Sequence, residues 1–288
     1  MARYSLWMVE CGHGVFTTDQ AYNGLYRPGE PLLVPISAIV AKGEGRVVMI
    51  DTGVDPEQPD NAAILKDRNY IQCHSAVYAL EQLGFAAEDV TDIILTHAHW
   101  DHMGAVPLFP NARFYIQKDE FFAGLEYLAM PEAFSVLGRC FSIGHFEDVV
   151  RLIRTHRLTL LDGCCDNLLP GMHIRVARDG HTAAGQMILI DTGAKTYLAV
   201  GDAVLTGLNV TGVNGRYLPM TFKTSSGNAR SMLETMAYIN GFCEGDLSRV
   251  LIPHDCESWG RYPGRVNKDG LHLAEICLAP GETSRLTG

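Results

Sequence analysis

Short apolar runs recur along the chain, and each ends on polar chemistry. Val47-Val48-Met49-Ile50 leads into Asp51-Thr52-Gly53, and Ile93-Ile94-Leu95 into Thr96-His97-Ala98-His99. Farther on, Tyr197-Leu198-Ala199-Val200 precedes Gly201-Asp202, and Val250-Leu251-Ile252 precedes Pro253-His254. Apolar runs this short, polar on exit, predict buried strands of a layered α/β protein. Strands that deliver His or Asp at their C-terminal ends predict a site along one sheet edge. Helical spacing fills the gaps. In 145–156, Phe146, Val149, Val150 and Ile153 fall at i, i+3, i+4 and i+7. In 226–240, Ser226 is a candidate cap ahead of a stripe of Met232, Leu233, Met236 and Ile239. A third helix is expected over about 74–83. The aromatic-rich segment 118–157 reads as a helical insert that covers or lids the site.

No repeat, low-complexity tract or long linker divides the 288 residues, so a single domain spanning 1–288 is expected. Apolar residues are 47% and charged residues 19%, an ordinary globular balance that excludes coiled-coil and disordered classes. The net charge is −10, which provides no basic field for nucleic acid or anionic lipid. No apolar run approaches the ~18 residues of a membrane span, and the first residues lack signal-peptide features. Eight scattered cysteines without a CxxC then read as reduced thiols of a cytoplasmic protein.

The chemistry concentrates in His97-Ala98-His99-Trp100-Asp101-His102. Three imidazoles and a carboxylate directly after a strand form a nitrogen and oxygen donor set suited to Zn²⁺ or a similar metal. One loop cannot fill two metal shells. His181, in Asp179-Gly180-His181-Thr182, together with Asp202 and His254 after their strands, supplies the remainder. Five histidines and two aspartates match two ions, one carboxylate bridging and three further ligands on each. Such a pair lies ~3.5–4 Å apart and holds a hydroxide between its ions. The histidines at 13, 74, 145, 156, 173 and 272 read as surface or core groups; His13, flanked by glycines, is kept open.

These motifs, in this order over roughly residues 30–260, resemble the metallo-β-lactamase superfamily. The resemblance implies an αββα sandwich, with His97, His99 and His181 on one metal, Asp101, His102 and His254 on the other, and Asp202 bridging. Asp202 and Asp101 are then the catalytic carboxylates, Asp101 also moving a proton. Val34-Pro35-Ile36-Ser37, Gln117-Lys118-Asp119-Glu120 and Gly180 through Gln186 are most similar to the N-acyl-homoserine lactonases. Those enzymes carry a tyrosine three residues after the bridging aspartate, where Leu205 stands here. That change leaves the metal chemistry and alters the substrate wall, for which Leu205, Tyr217 and Phe222 are the candidates. Leu208, Leu218 and Met220, and Phe121, Phe122 and Tyr127 of the insert, are expected to make the rest of that wall apolar.

The function expected is a dinuclear hydrolase that opens a small lactone by attack of a metal-bound hydroxide, with zinc, manganese or iron as the divalent metal. A cyclic amide hydrolase and a thioester hydrolase similar to glyoxalase II are the alternatives; the latter wants basic residues, for which Arg261, Arg265 and Lys268 are candidates. His99 argues against the flavin-partnered di-iron members, which carry glutamate there. Asp202 and the absent export signal argue against a β-lactamase, and the negative charge against a nuclease. Partners are a small-molecule lactone or cyclic amide and, in assembly, a second copy forming a homodimer; neither nucleic acid nor membrane is expected.

Overall fold

The computed structural model describes residues 3–221 and 225–286. The strands in chain order are β1 (Tyr4–Thr17), β2 (Pro31–Gly43), β3 (Arg46–Ile50), β4 (Asp92–Ile94), β5 (Arg113–Gln117), β6 (Leu158–Leu161), β7 (Cys165–Leu169), β8 (Met172–Arg178), β9 (Ala184–Asp191), β10 (Thr196–Ala199), β11 (Val250–Leu251), β12 (Gly264–Val266) and β13 (His272–Cys277). They form two sheets, ordered β12-β13-β1-β2-β3-β4-β5-β6 and β11-β10-β9-β8-β7.

Strand alternation builds three apolar layers. In β1, Leu6 and Met8 face the second sheet, while Trp7 and Val9 face helices outside the first. In β3, Val48 and Ile50 point between the sheets and Met49 points outward. The second sheet repeats this: Tyr197 and Ala199 face inward, and Leu198 and Val200 face outward with Met232, Met236 and Ile239 of the helix Ala229–Cys243. Both faces of these central strands are buried, hence the continuous apolar runs in the sequence. The result is an αββα sandwich.

The four runs noted above divide between the sheets. β3 and β4 pair in parallel in the first, and β10 and β11 in parallel in the second. Their C-terminal ends bring the polar exits to one edge.

The helices differ in detail from the sequence expectations. The helix Ala229–Cys243 is capped by Asn228, whose side chain accepts from Ser231 N; Ser226 lies before it. In Ile143–Ile153 the buried face is His145, Phe146, Val149 and Leu152, with Val150 and Ile153 exposed. That stripe is rotated because Phe146 and Val149 already fill the space against Phe121 and Phe114 in the outer core. Ser75 caps Ala76–Glu81. The segment 118–157 carries Lys118–Ala129, Ser135–Gly138 and Ile143–Ile153. Among the described residues, no helix is long and apolar enough to cross a membrane.

Candidate metal centre

The Asp51-Thr52-Gly53 turn and the histidine loop lock together where β3 and β4 end. Thr52 N donates to His102 O at 2.8 Å, and Thr52 Oγ1 accepts from Ala105 N at 3.1 Å. Asp51 sits at φ +65°, which turns its carboxylate back onto the loop. Its Oδ1 accepts from Thr96 N at 2.6 Å, and its Oδ2 lies 2.7 Å from His102 Nδ1. From the second sheet, Gly201 brings Asp202 in close: a Cβ there would fall 2.6 Å from the Thr96 side chain.

All seven sequence-predicted ligands are buried and come together. The ligand atoms of His97, His99, His181 and Asp202 lie within 4.8 Å of one another, as do those of Asp101, His102 and His254. Asp202 divides its oxygens between the two groups. Oδ2 lies 3.2 Å from His181 Nε2 and 3.8 Å from His97 Nε2. Oδ1 lies 3.0 Å from His254 Nε2 and 3.2 Å from His102 Nε2.

The donor set fits divalent cations. With its Nδ1 on the Asp51 carboxylate, His102 presents Nε2 to the centre; His254, whose Nδ1 donates to Pro35 O at 2.6 Å, does the same. These two Nε2 atoms face each other at 3.2 Å beside Asp202 Oδ1. Two imidazole nitrogens and a carboxylate oxygen this close need protons or a cation between them, and a divalent ion meets all three at once. In the other group His97 Nε2 makes no hydrogen bond although buried, nor does Asp202 Oδ1 between the two. Buried imidazole and carboxylate groups without partners are costly, and metal coordination satisfies them.

The electrostatics differ between the groups. Burial, then the neighbouring imidazoles, pushes His97 and His99 well below the usual imidazole range. Burial also opposes charge on His102, but Asp202, Asp51 and Asp101 outweigh it and lift its pKa well above that range. His254 is raised, mainly by Asp202 against burial. Asp202 is held well below the usual carboxylate range because His254, His102 and His181 overcome its burial.

Three supporting groups carried no assigned role in the sequence reading: Asp51, Pro35 O and Glu120. Buried Glu120 accepts from Ala98 N at 3.1 Å and from Ala184 N at 2.9 Å, tying the histidine loop to the strand after His181. Burial raises its pKa, and those two N–H bonds offset part of the rise. Gln186 adds a second tie, donating to Leu95 O and accepting from Gln117. The signal was present: Asp51, Glu120 and Gln186 all lie in the quoted motifs.

A cavity of about 620 Å³ opens onto both groups, reaching His99, Asp101, His181, Asp202 and His254. Leu205 lines it. Tyr217 does not, which corrects the expectation: its hydroxyl accepts from Asn240 Nδ2 at 3.0 Å, and its ring packs on the core outside the second sheet. Its position is tied to the helix Ala229–Cys243, which carries Asn240. Phe222 lies outside the described residues. Leu218, Met220 and Phe121 are buried in cores, and Phe122 is exposed. The insert reaches the cavity instead through Ser135, Val136, Arg139 and Cys140. His13 is paired with Glu10 Oε1 at 2.9 Å and belongs to neither group. Buried His145 has neither ring nitrogen partnered among the described residues, and burial pushes it down to about 4.

Fold and donor set together define a metal-dependent hydrolase of αββα architecture. Residues 32–118 match the family described as the metallo-beta-lactamase superfamily. Among similar proteins is the N-acyl homoserine lactonase AiiB of Agrobacterium fabrum, 27% identical over 236 residues, 78% of this chain and 81% of that one. The fold is shared with Bacillus thuringiensis AiiA, solved with N-decanoyl-L-homoserine at its active site. That match has a TM-score of 0.68 at 19% identity and covers 91% and 98% of the two chains. AidC, a dizinc quorum-quenching lactonase solved with its product, matches at TM-score 0.65 and 18% identity over 94% of each chain.

Proposed function

We propose that the chain is a dinuclear metal-dependent lactonase. His97, His99 and His181 hold one divalent ion, Asp101, His102 and His254 the other, and Asp202 bridges them. The observation that carries this reading is the division of Asp202, one oxygen toward each histidine group. When bound, the ions supply an activated water at neutral pH and polarise the acyl group under attack.

The chain's own residues do the rest. Asp51 and Pro35 O hold His102 and His254 with their Nε2 atoms inward. Asp101 faces the cavity as well as His254, with Oδ2 3.6 Å from His254 Nε2, and carries the proton from water to the leaving alkoxide. Val15, Phe16, Val136 and Leu205 form an apolar wall, and the volume lies within the ~300–1,000 Å³ range of small-molecule sites. Ester relatives support a small lactone as substrate. The basic residues considered for a thioester do not serve it: Arg261 is bound to Asp255 and Arg265 to Gln82 O, and neither they nor Lys268 line the cavity.

The test is metal analysis with a panel of lactones, cyclic amides, thioesters and β-lactams. About two divalent ions per chain and fastest turnover on a lactone are expected. One tightly bound ion after loading with excess zinc or manganese rejects the dinuclear assignment, and faster thioester turnover rejects the lactonase reading.

A further inference from the structure

The cavity presents a phenol beside its carboxylates. Tyr70 lines it together with Asp101, Asp202 and Leu205, and is 8% exposed. The ring is fixed on several sides. It packs edge-on against Trp100, which follows His99, at 5.3 Å between centroids and against Phe16 at 6.2 Å. Gly14 lies beneath it, where a Cβ would come within 2.9 Å of the ring. Tyr70 N donates to Leu65 O, and the next residue, Ile71, exchanges two backbone bonds with His13.

The hydroxyl is in a different situation from the ring. Buried tyrosines usually place the O–H against a partner. Tyr4, Tyr22 and Tyr115 do so here, on Pro170 O, Thr206 and Asp92. The Tyr70 hydroxyl hydrogen-bonds none of the described residues, yet it is not sealed from the cavity. Arg68, the nearby cation on this wall, is occupied with Arg139 O and the Trp100 face. Burial, then Asp101 and Asp202, pushes the phenol well above its usual range. Its O–H is a donor available to whatever occupies the cavity.

The geometry points to Tyr70 as a catalytic residue whose O–H donates a hydrogen bond to the substrate's acyl oxygen, where negative charge gathers during attack. The inference rests on the hydrolase reading but not on the choice of ring, because esters, thioesters and amides share that oxygen. One fixed donor of this kind is worth about 10²–10³ in kcat.

Tyr70→Phe tests this in the metal-loaded protein, since it removes the hydroxyl and keeps the ring on Trp100 and Phe16. Expected is a fall in kcat of at least tenfold, with KM within about twofold and with metal content and unfolding midpoint unchanged. Affinity for a cyclic phosphonate mimicking the tetrahedral oxyanion should fall at least tenfold, read by titration calorimetry. The defect should be equal across lactones of different leaving-group pKa. A kcat loss below tenfold, a loss accompanied by lost metal or stability, or a defect that fades with better leaving groups overturns the assignment. Tyr70→Leu, read the same way, should lose at least as much kcat; a rate above that of the phenylalanine variant also overturns it. If wild type turns over a thioester and no lactone, the proposed substrate class fails, while the same readouts on the thioester still decide the role of Tyr70.

Discussion

The two ligand groups are built from the same side chains and held by different means. Asp101, His102 and His254 are aimed directly: Asp51 grips the His102 ring and Pro35 O the His254 ring. His97, His99 and His181 have less support on their rings. His97 Nδ1 meets only the Thr96 hydroxyl, and His181 Nδ1 has no partner among the described residues. Their placement comes through the backbone, from Glu120 clasping Ala98 and Ala184. One group is thus tuned by charge at the imidazole and the other by the rigidity of the loops beneath it. Outer partners of the first kind raise ligand basicity as well as fixing the tautomer. Those of the second kind fix position alone.

The largest effect is expected where the groups meet. Asp202→Ala should reduce turnover to below about one hundredth of wild type, a barrier increase above ~2.7 kcal/mol, and loosen both ions. Its fold should survive, as read by circular dichroism; retained turnover above a tenth would show that Asp202 does not join the groups.

Asp51→Asn separates them. Its amide cannot reproduce the carboxylate on His102 Nδ1, so the group with Asp101 and His254 should bind its ion about 10–100-fold more weakly. The other group should be little changed. Two-site metal titration gives the answer, and equal weakening of both sites would erase the contrast drawn above.

Glu120→Gln should act in the opposite way and more mildly. An amide can accept one backbone N–H but turns its own N–H₂ toward the other, which costs about 1–3 kcal/mol. A lowered thermal unfolding midpoint is expected, with the metal loss confined to the His97, His99 and His181 group. Unchanged stability would mean that the clasp between Ala98 and Ala184 carries no strain and other contacts hold those loops.

Much of this centre was legible in the sequence because it is local. The order apolar run, turn, His or Asp is written in consecutive residues, and the two-faced burial of β3, β4, β10 and β11 accounts for it. The cavity wall was legible only at Leu205. Tyr217 and Leu205 are twelve residues apart on one segment, yet one turns to Asn240 and the other to the cavity. Tyr70 drew no notice in sequence because it follows the helix Pro59–Asp67 with no motif around it. Helix faces were likewise only half readable: Val150 and Ile153 match the spacing of a stripe, but neighbouring aromatics decide which turn of the helix is covered.

The sequence by itself determined the donor types, their order and the strand ends that carry them, because periodicity and turn chemistry act over a few residues. Only the tertiary packing decided that Asp202 offers one oxygen to each group, that Asp51 and Glu120 stand behind the histidines, and that Tyr70 lines the same cavity as the carboxylates. These contacts join residues tens to more than a hundred positions apart. Their distances depend on how whole layers stack, and no local pattern encodes that.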